Sequence, residues 1–233
     1  MGCAHAERLP DDQLITYYDN AVFVGDSLFE LLRYHINGVV RKEHPQYFQG
    51  VKFYSAHGFK LATAAMTYPS HTEANLMYKG RAATVQDIMR LTQPDKVFFQ
   101  VGMNDRIGND VEAGLRYVET LNALIHEVSP NTKIHYFSLT PVTAPINIKE
   151  PNRQIKRDGY NAALEEKCRQ LGVHYIEVAA FLKDAEGLLD PKLATDDGYH
   201  LNDKGNTIWI QKMLDFAQTQ YEAGQWAPAP ANP

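Results

Sequence analysis

Residues 25–28 read Gly-Asp-Ser-Leu and pass from an apolar, β-rich run, AVFVG, straight into a helical pattern carrying Phe29, Leu31 and Leu32. That places the Ser27 hydroxyl at the start of a helix, where unpaired backbone N–H groups and the helix dipole favour negative charge. A serine there suits nucleophilic attack. It also suits helix capping, the more common use of Ser and Asp at such a position. A nucleophile needs a base, and the chain has nine histidines. His126 falls in an amphipathic helical pattern, His135 and His174 in strand patterns, and His35 and His71 in polar surroundings. His200 differs, because it ends the turn-rich run Thr195-Asp196-Asp197-Gly198-Tyr199-His200 just before the last helical pattern. A carboxylate three residues ahead can reach one imidazole nitrogen across a bend and leave the other for the serine, fixing the tautomer and stabilising the imidazolium. Asp197 fits that spacing; Asp196 is its nearest rival. Imidazole suits the task because its unperturbed pKa of about 6.5 lets it take and return a proton near neutrality.

Two more turns carry groups of use to such a serine. Ser55-Ala56-His57-Gly58 follows the second β-rich run, and Gly102-Met103-Asn104-Asp105 follows the third. Gly58 offers a backbone N–H with no side chain in the way, and Asn104 an uncharged amide donor. With the N–H of Ser27 they would make an oxyanion hole for a tetrahedral acyl-transfer intermediate. Singly, each is explained as a turn former; together with Ser27, the oxyanion reading is favoured.

For these turns to meet, the elements must be arranged in one way. Strand patterns fall at 21–25, 51–56, 96–101, 133–139 and 173–178, with helical patterns between them. The clearest helix is 111–128, whose Leu115, Val118, Leu121, Ile125 and Val128 recur at helical spacing; others run over 152–171, closed by Gly172, and 203–221. Alternating strands and helices predict an α/β fold, a three-layer α/β/α sandwich of flavodoxin-like kind with a parallel five-stranded sheet in the order 2-1-3-4-5. That order sets the turns after strands one, two and three side by side at the carboxyl edge, where open sheets bind ligands. The long connections 67–81 and 141–152 are candidate walls of the site.

Composition adds bounds. With 23 Lys plus Arg against 28 Asp plus Glu, the formal charge is 23 − 28 = −5, and 44% of residues are hydrophobic. One domain over 19–222 is expected, with an N-terminal extension, 1–18, and a flexible tail, 223–233. A mildly acidic chain whose one basic cluster, Arg153, Lys156 and Arg157, is short does not suit nucleic acid or an anionic membrane as partner. No apolar run reaches transmembrane length. Two cysteines give no disulfide framework: Cys168 shares an apolar helix stripe with Leu164 and Leu171 and reads as a buried, inert thiol. Met1-Gly2-Cys3 lacks the features of a signal peptide, so the chain as it stands reads as soluble and cytoplasmic; Gly-Cys would also begin a lipid-anchored protein whose signal peptide had been removed. There is no Walker sequence, no dinucleotide-binding glycine pattern and no Cys/His cluster of zinc spacing, and the chemistry needs neither metal nor cofactor.

Gly25-Asp26-Ser27-Leu28, Gly58, Gly102-x-Asn104-Asp105 and Asp197-x-x-His200, in that order over residues 25–200, resemble the blocks of the SGNH hydrolase (GDSL esterase/lipase) family. The resemblance implies the same three-layer fold, with Ser27 as nucleophile, Ser27, Gly58 and Asn104 as oxyanion donors, and Asp197 with His200 as the acid–base pair. No Gly-x-Ser-x-Gly elbow occurs, which sets the chain apart from ordinary α/β-hydrolases. The expected activity is hydrolysis of a carboxylic ester through an acyl-enzyme. The family spans carbohydrate deacetylases, arylesterases, thioesterases and lysophospholipases, and the blocks do not separate them. Lacking a long apolar insertion to grip an acyl chain, the chain leans towards short, acetyl esters of a small molecule or carbohydrate, with Tyr68 and Tyr78 as candidate stacking platforms for a sugar. An acyltransferase of the same fold and a non-catalytic flavodoxin-like binding module with Ser27 as a mere cap are the alternatives.

Overall fold

The computed structural model describes residues 7–105 and 107–229; Cys3 and the last four residues of the tail lie outside them. Among the described residues there are seven strands: β1 (Ala21–Gly25), β2 (Lys52–Ser55), β3 (Leu76–Tyr78), β4 (Arg81–Ala83), β5 (Lys96–Gln100), β6 (Lys133–Phe137) and β7 (His174–Ile176). Five of them form a parallel sheet in the order β2-β1-β5-β6-β7. Counted among themselves, these are the second, first, third, fourth and fifth strands, the order expected. The remaining pair, β3 and β4, is a small antiparallel hairpin that the sequence pattern leaves within and just past the 67–81 connection. Three residues per strand are too few to establish a readable alternation.

Five longer helices cover the sheet: α1 (Ser27–His35), α2 (Val85–Thr92), α3 (Val111–Val128), α4 (Arg153–Leu171) and α5 (Asp203–Glu222). Because successive strand residues face opposite sides, the sheet has two separate cores. On one face Phe23, Phe98 and Phe137 pack with Phe29 and Leu32 of α1 and Trp209, Met213 and Leu214 of α5. On the other, Val22, Val97, Phe99, Ile134 and Tyr136 pack with Ile88 of α2, Leu121 and Ile125 of α3 and Leu164 of α4. Cys168 lies in this second core, where burial pushes its thiol up to about 12, so it is inert at neutral pH. Residues 11–18, ahead of β1, form two short helical turns whose Leu14, Tyr17 and Tyr18 are buried, and the Tyr18 hydroxyl donates to the Met213 carbonyl at 2.6 Å. No helix is long and apolar enough to cross a membrane among the described residues.

Parallel register lines up Phe23, Phe98, His135 and His174 across four neighbouring strands. Their rings stack at centroid distances of 4.8, 4.3 and 4.7 Å. His135 is fully buried, and burial, with His174 beside it, holds its pKa well below the usual value. The folded state keeps His135 neutral while the unfolded chain takes up a proton below about 6.5. Its contribution to stability is therefore present above that pH and lost as pH falls, by at most about 1.4 kcal/mol per pH unit. Denaturant midpoints at pH 7.5 and pH 5 measure it: the drop on acidification is smaller in His135→Gln, whose amide keeps a partner for the Tyr17 hydroxyl, which lies 3.0 Å from His135 Nε2.

Candidate active site

The turn after β1 begins with Asp26, which is the N-cap of α1: its side chain accepts the Leu28 N–H at 3.0 Å. Ser27 follows as the first helical residue, so the cap is the aspartate and the serine hydroxyl is free for other bonds. Ser27 Oγ lies 2.7 Å from His200 Nε2, and His200 Nδ1 lies 2.5 Å from Asp197 Oδ2. Asp197 Oδ1 accepts three more bonds, from the N–H groups of Tyr199 and His200 at 2.8 and 3.0 Å and from the Thr195 hydroxyl at 2.9 Å. Burial would raise the Asp197 pKa, but these bonds outweigh it and hold the carboxyl well below the usual range. An ionised carboxylate only accepts, so Nδ1 carries the proton, and in the neutral ring Nε2 is left to accept the serine O–H. Asp196, the rival acid, is exposed, and it is Asp197 that meets the imidazole.

The loop holding this pair is closed locally. Ala194 and Leu201 form an isolated antiparallel bridge, and the Thr195 N–H donates to the His200 carbonyl at 2.8 Å. Buried Leu201 and the Asn202 N-cap of α5, which takes the N–H groups of Lys204 and Gly205, anchor its end. Gly198 has φ +75°, and a Cβ there would lie 2.3 Å from Thr143 Oγ1. The 141–152 connection, folded into a short helix (Ala144–Lys149), thus braces this loop: Thr143 N–H donates to the Gly198 carbonyl, and the Tyr199 hydroxyl to Glu150.

The turns after β2 and β5 are tied to one another by Asp105, whose carboxylate accepts the N–H groups of Leu61 and Ala62 at 2.7 and 3.1 Å. Beside it, the Asn104 amide donates to Asp26 Oδ2 at 3.0 Å and to the Phe59 carbonyl at 3.2 Å. These bonds bring Asn104 and the Gly58–Phe59 turn against the residue preceding Ser27. Gly58 has φ +74° with nothing within 4 Å of a Cβ position, so the left-handed backbone, not crowding, calls for glycine. Both Asn104 amide hydrogens are engaged here, so an oxyanion role requires one of them to be shared or redirected. Asp26 is 1% exposed, and burial pushes its carboxyl up to about 7, against the pull of the Leu28 bond and the fields of His200 and Arg157. Nothing in the sequence around Asp26 signals that it carries both the α1 cap and Asn104.

A groove of about 370 Å³ opens beside Ser27 and His200, with Glu30, Leu31 and Tyr34 along one wall and His57 and Thr195 also lining it. Glu30, Leu31 and Tyr34 follow Ser27 by three, four and seven residues, the spacing of one helix face, and that spacing is the signal by which they are legible. Tyr34 is 57% exposed. Tyr68 and Tyr78 do not line this groove; Tyr78 instead stacks on Tyr54 at 6.1 Å. His35, at the end of α1, is buried, with Nδ1 at 2.8 Å from Asp203. No cluster of three or more His, Cys, Asp or Glu side chains fit to hold a metal ion occurs among the described residues.

The model of a family described as GDSL-like Lipase/Acylhydrolase matches residues 23–208. Among solved structures, the chain is similar to a GDSL-like lipase from Bacteroides thetaiotaomicron at 16% identity and TM-score 0.61, over 89% of this chain and 91% of that one. A carbohydrate esterase family 3 protein from Talaromyces cellulolyticus has 15% identity and TM-score 0.59, over 88% and 98%. An acetyl xylan esterase from Geobacillus stearothermophilus has 14% identity and TM-score 0.58, over 84% and 93%. At these identities the likeness is one of fold. Among curated protein sequences none matches this chain.

Proposed function

This chain belongs to the GDSL-like Lipase/Acylhydrolase family and is a carboxylic ester hydrolase, and on that premise we propose that Ser27, His200 and Asp197 form its catalytic triad and that it removes short acyl groups, acetyl above all, from carbohydrate esters. The observation that carries this reading is the unbroken run of hydrogen bonds from Asp197 Oδ2 through both ring nitrogens of His200 to Ser27 Oγ. His200 Nε2 takes the hydroxyl proton as Ser27 Oγ attacks the ester carbonyl carbon. The carbonyl π electrons move onto oxygen, and that oxyanion is held by the N–H groups of Ser27 and Gly58 and by Asn104. The imidazolium, stabilised by Asp197, then protonates the leaving alcohol as the C–O bond breaks. In the second half, His200 deprotonates a water that attacks the acyl-enzyme, and the proton returns to Ser27 as the acid leaves.

A short acyl group is supported by the groove: it is open, and only Leu31 and Tyr34 give it sizeable apolar walls. Tyr34, exposed beside Ser27, is the platform for a sugar ring, in place of Tyr68 and Tyr78. The acetyl xylan and carbohydrate esterases among the structural neighbours support the same choice. A fluorophosphonate probe tests the nucleophile: it labels the peptide containing Ser27, and an unlabelled protein would overturn the reading. On p-nitrophenyl acetate, butyrate and octanoate, kcat/KM falls as the chain lengthens; a maximum at octanoate would reverse the acyl assignment.

A further inference from the structure

A second cavity, of about 560 Å³, adjoins the site at Asn104 and is also lined by Glu150 and by Arg153, Lys156 and Arg157 of the first turns of α4. These three cations stand at positions i, i+3 and i+4 of the helix and so share one face. Among the described residues only one of them has a counter-ion: Arg153 pairs with Glu150. The Asp105 carboxylate, also on the wall, is occupied by the N–H groups of Leu61 and Ala62. Lys156 Nζ meets the neutral amide oxygen of Asn109 at 2.5 Å.

Arg157 is the decisive residue. It is 6% exposed, its Nη1 donates to the Thr140 carbonyl at 2.7 Å, and its Nη2 is buried without a partner among the described residues. No carboxylate lies within ion-pairing distance of it among those residues; Asp26 and Glu150 act on it only through space. Burial, with Arg153 nearby, lowers its pKa to about 9. Buried cations are ordinarily paired with an anion and their donors satisfied, because desolvation is otherwise uncompensated. Here the residue that carries the unpaired charge lines a cavity, and a guanidinium edge matches the oxygens of a carboxylate or phosphate.

We propose that this cavity receives an anionic oxygen group, a carboxylate or a phosphate monoester, carried on the alcohol part of the substrate. The assignment to the alcohol part rests on the esterase reading above: the groove at Ser27 and this cavity have no lining residue in common, and a two-carbon acetyl group is too short to occupy both, so the alcohol is the part that reaches the second. Arg157 binds the anion through its guanidinium, Lys156 adds its charge, and selectivity between neutral and acidic esters is set there, away from the bond that breaks.

The test compares 4-acetoxybenzoate and 4-acetoxyphenyl phosphate with neutral 4-acetoxybenzamide. Wild-type protein favours at least one of the anionic esters in kcat/KM, and the ratio of that ester to the neutral one falls by about tenfold or more in Arg157→Gln and in Lys156→Gln, mostly through KM. Which anion is favoured identifies the group. Lys156 is exposed on α4, so its variant keeps the test sound if Arg157→Gln fails to fold. A wild-type protein that hydrolyses the neutral ester with no preference for either anion, or ratios unchanged in the variants, would overturn the proposal while leaving the esterase reading intact. If no ester is hydrolysed, that reading fails, and calorimetric titration of the wild type and of Lys156→Gln with 4-hydroxybenzoate and inorganic phosphate decides the anion site alone: saturable binding weakened by the substitution supports it, and its absence overturns it.

Discussion

Ser27→Ala lowers kcat on p-nitrophenyl acetate by about a millionfold, to a residue of activity left by binding and the oxyanion donors alone. The size of the loss follows from the bond the substitution removes: His200 Nε2 has its partner in Ser27 Oγ at 2.7 Å, and without that oxygen no acyl-enzyme forms. The fold should hardly notice. The α1 cap is Asp26, bonded to the Leu28 N–H, and alanine at the first helical position keeps good helix propensity. Thermal midpoints of wild type and variant therefore agree within a few degrees while turnover disappears. A variant with wild-type rate would remove Ser27 from the mechanism, and a large fall in the midpoint would assign it a structural role instead.

The second large effect is expected from Asp197→Asn, a loss in kcat of about ten-thousandfold. The direction is set by how the carboxylate is held. Oδ1 accepts the N–H groups of Tyr199 and His200 and the Thr195 hydroxyl. An asparagine keeps its oxygen towards those three donors and turns its NH₂ towards His200 Nδ1. Facing a donor, Nδ1 must accept, which moves the ring proton to Nε2 and leaves nothing to take the proton of Ser27. Asp196→Asn, one residue away and exposed, serves as the control and retains activity. If the two variants behave alike, the carboxylate acts by general charge and not by fixing the tautomer.

Parts of this site are legible in the chain because they are local. Asp197 and His200 are three residues apart, and a glycine-containing turn brings carboxylate and imidazole together at 2.5 Å. The strand-to-helix turn at 25–28 is local too, although the sequence does not decide which of Asp26 and Ser27 caps the helix. The tertiary structure decides it, because Ser27 Oγ is drawn to a histidine 173 residues away. The loop that carries Tyr68 and Tyr78 suggests sugar platforms, but neither lines the groove, and Tyr78 is drawn into the β3–β4 hairpin and stacks on Tyr54, while Tyr34 lines the groove through its helical phase with Ser27.

The sequence by itself determined the layer architecture, the strand order and the local pairing of Asp197 with His200, because hydrophobic periodicity and turn chemistry act over a few residues. Only the tertiary structure decided how the turns are bound to one another. Asn104 reaches Asp26 across 78 residues and Phe59 across 45, Thr143 braces Gly198, and Arg157 is buried beside an open cavity with no counter-ion among the described residues. Spacing shows the three cations of α4 on one face. Burial and missing partners are properties of what surrounds a side chain in space, and those surroundings come from segments far apart in the chain.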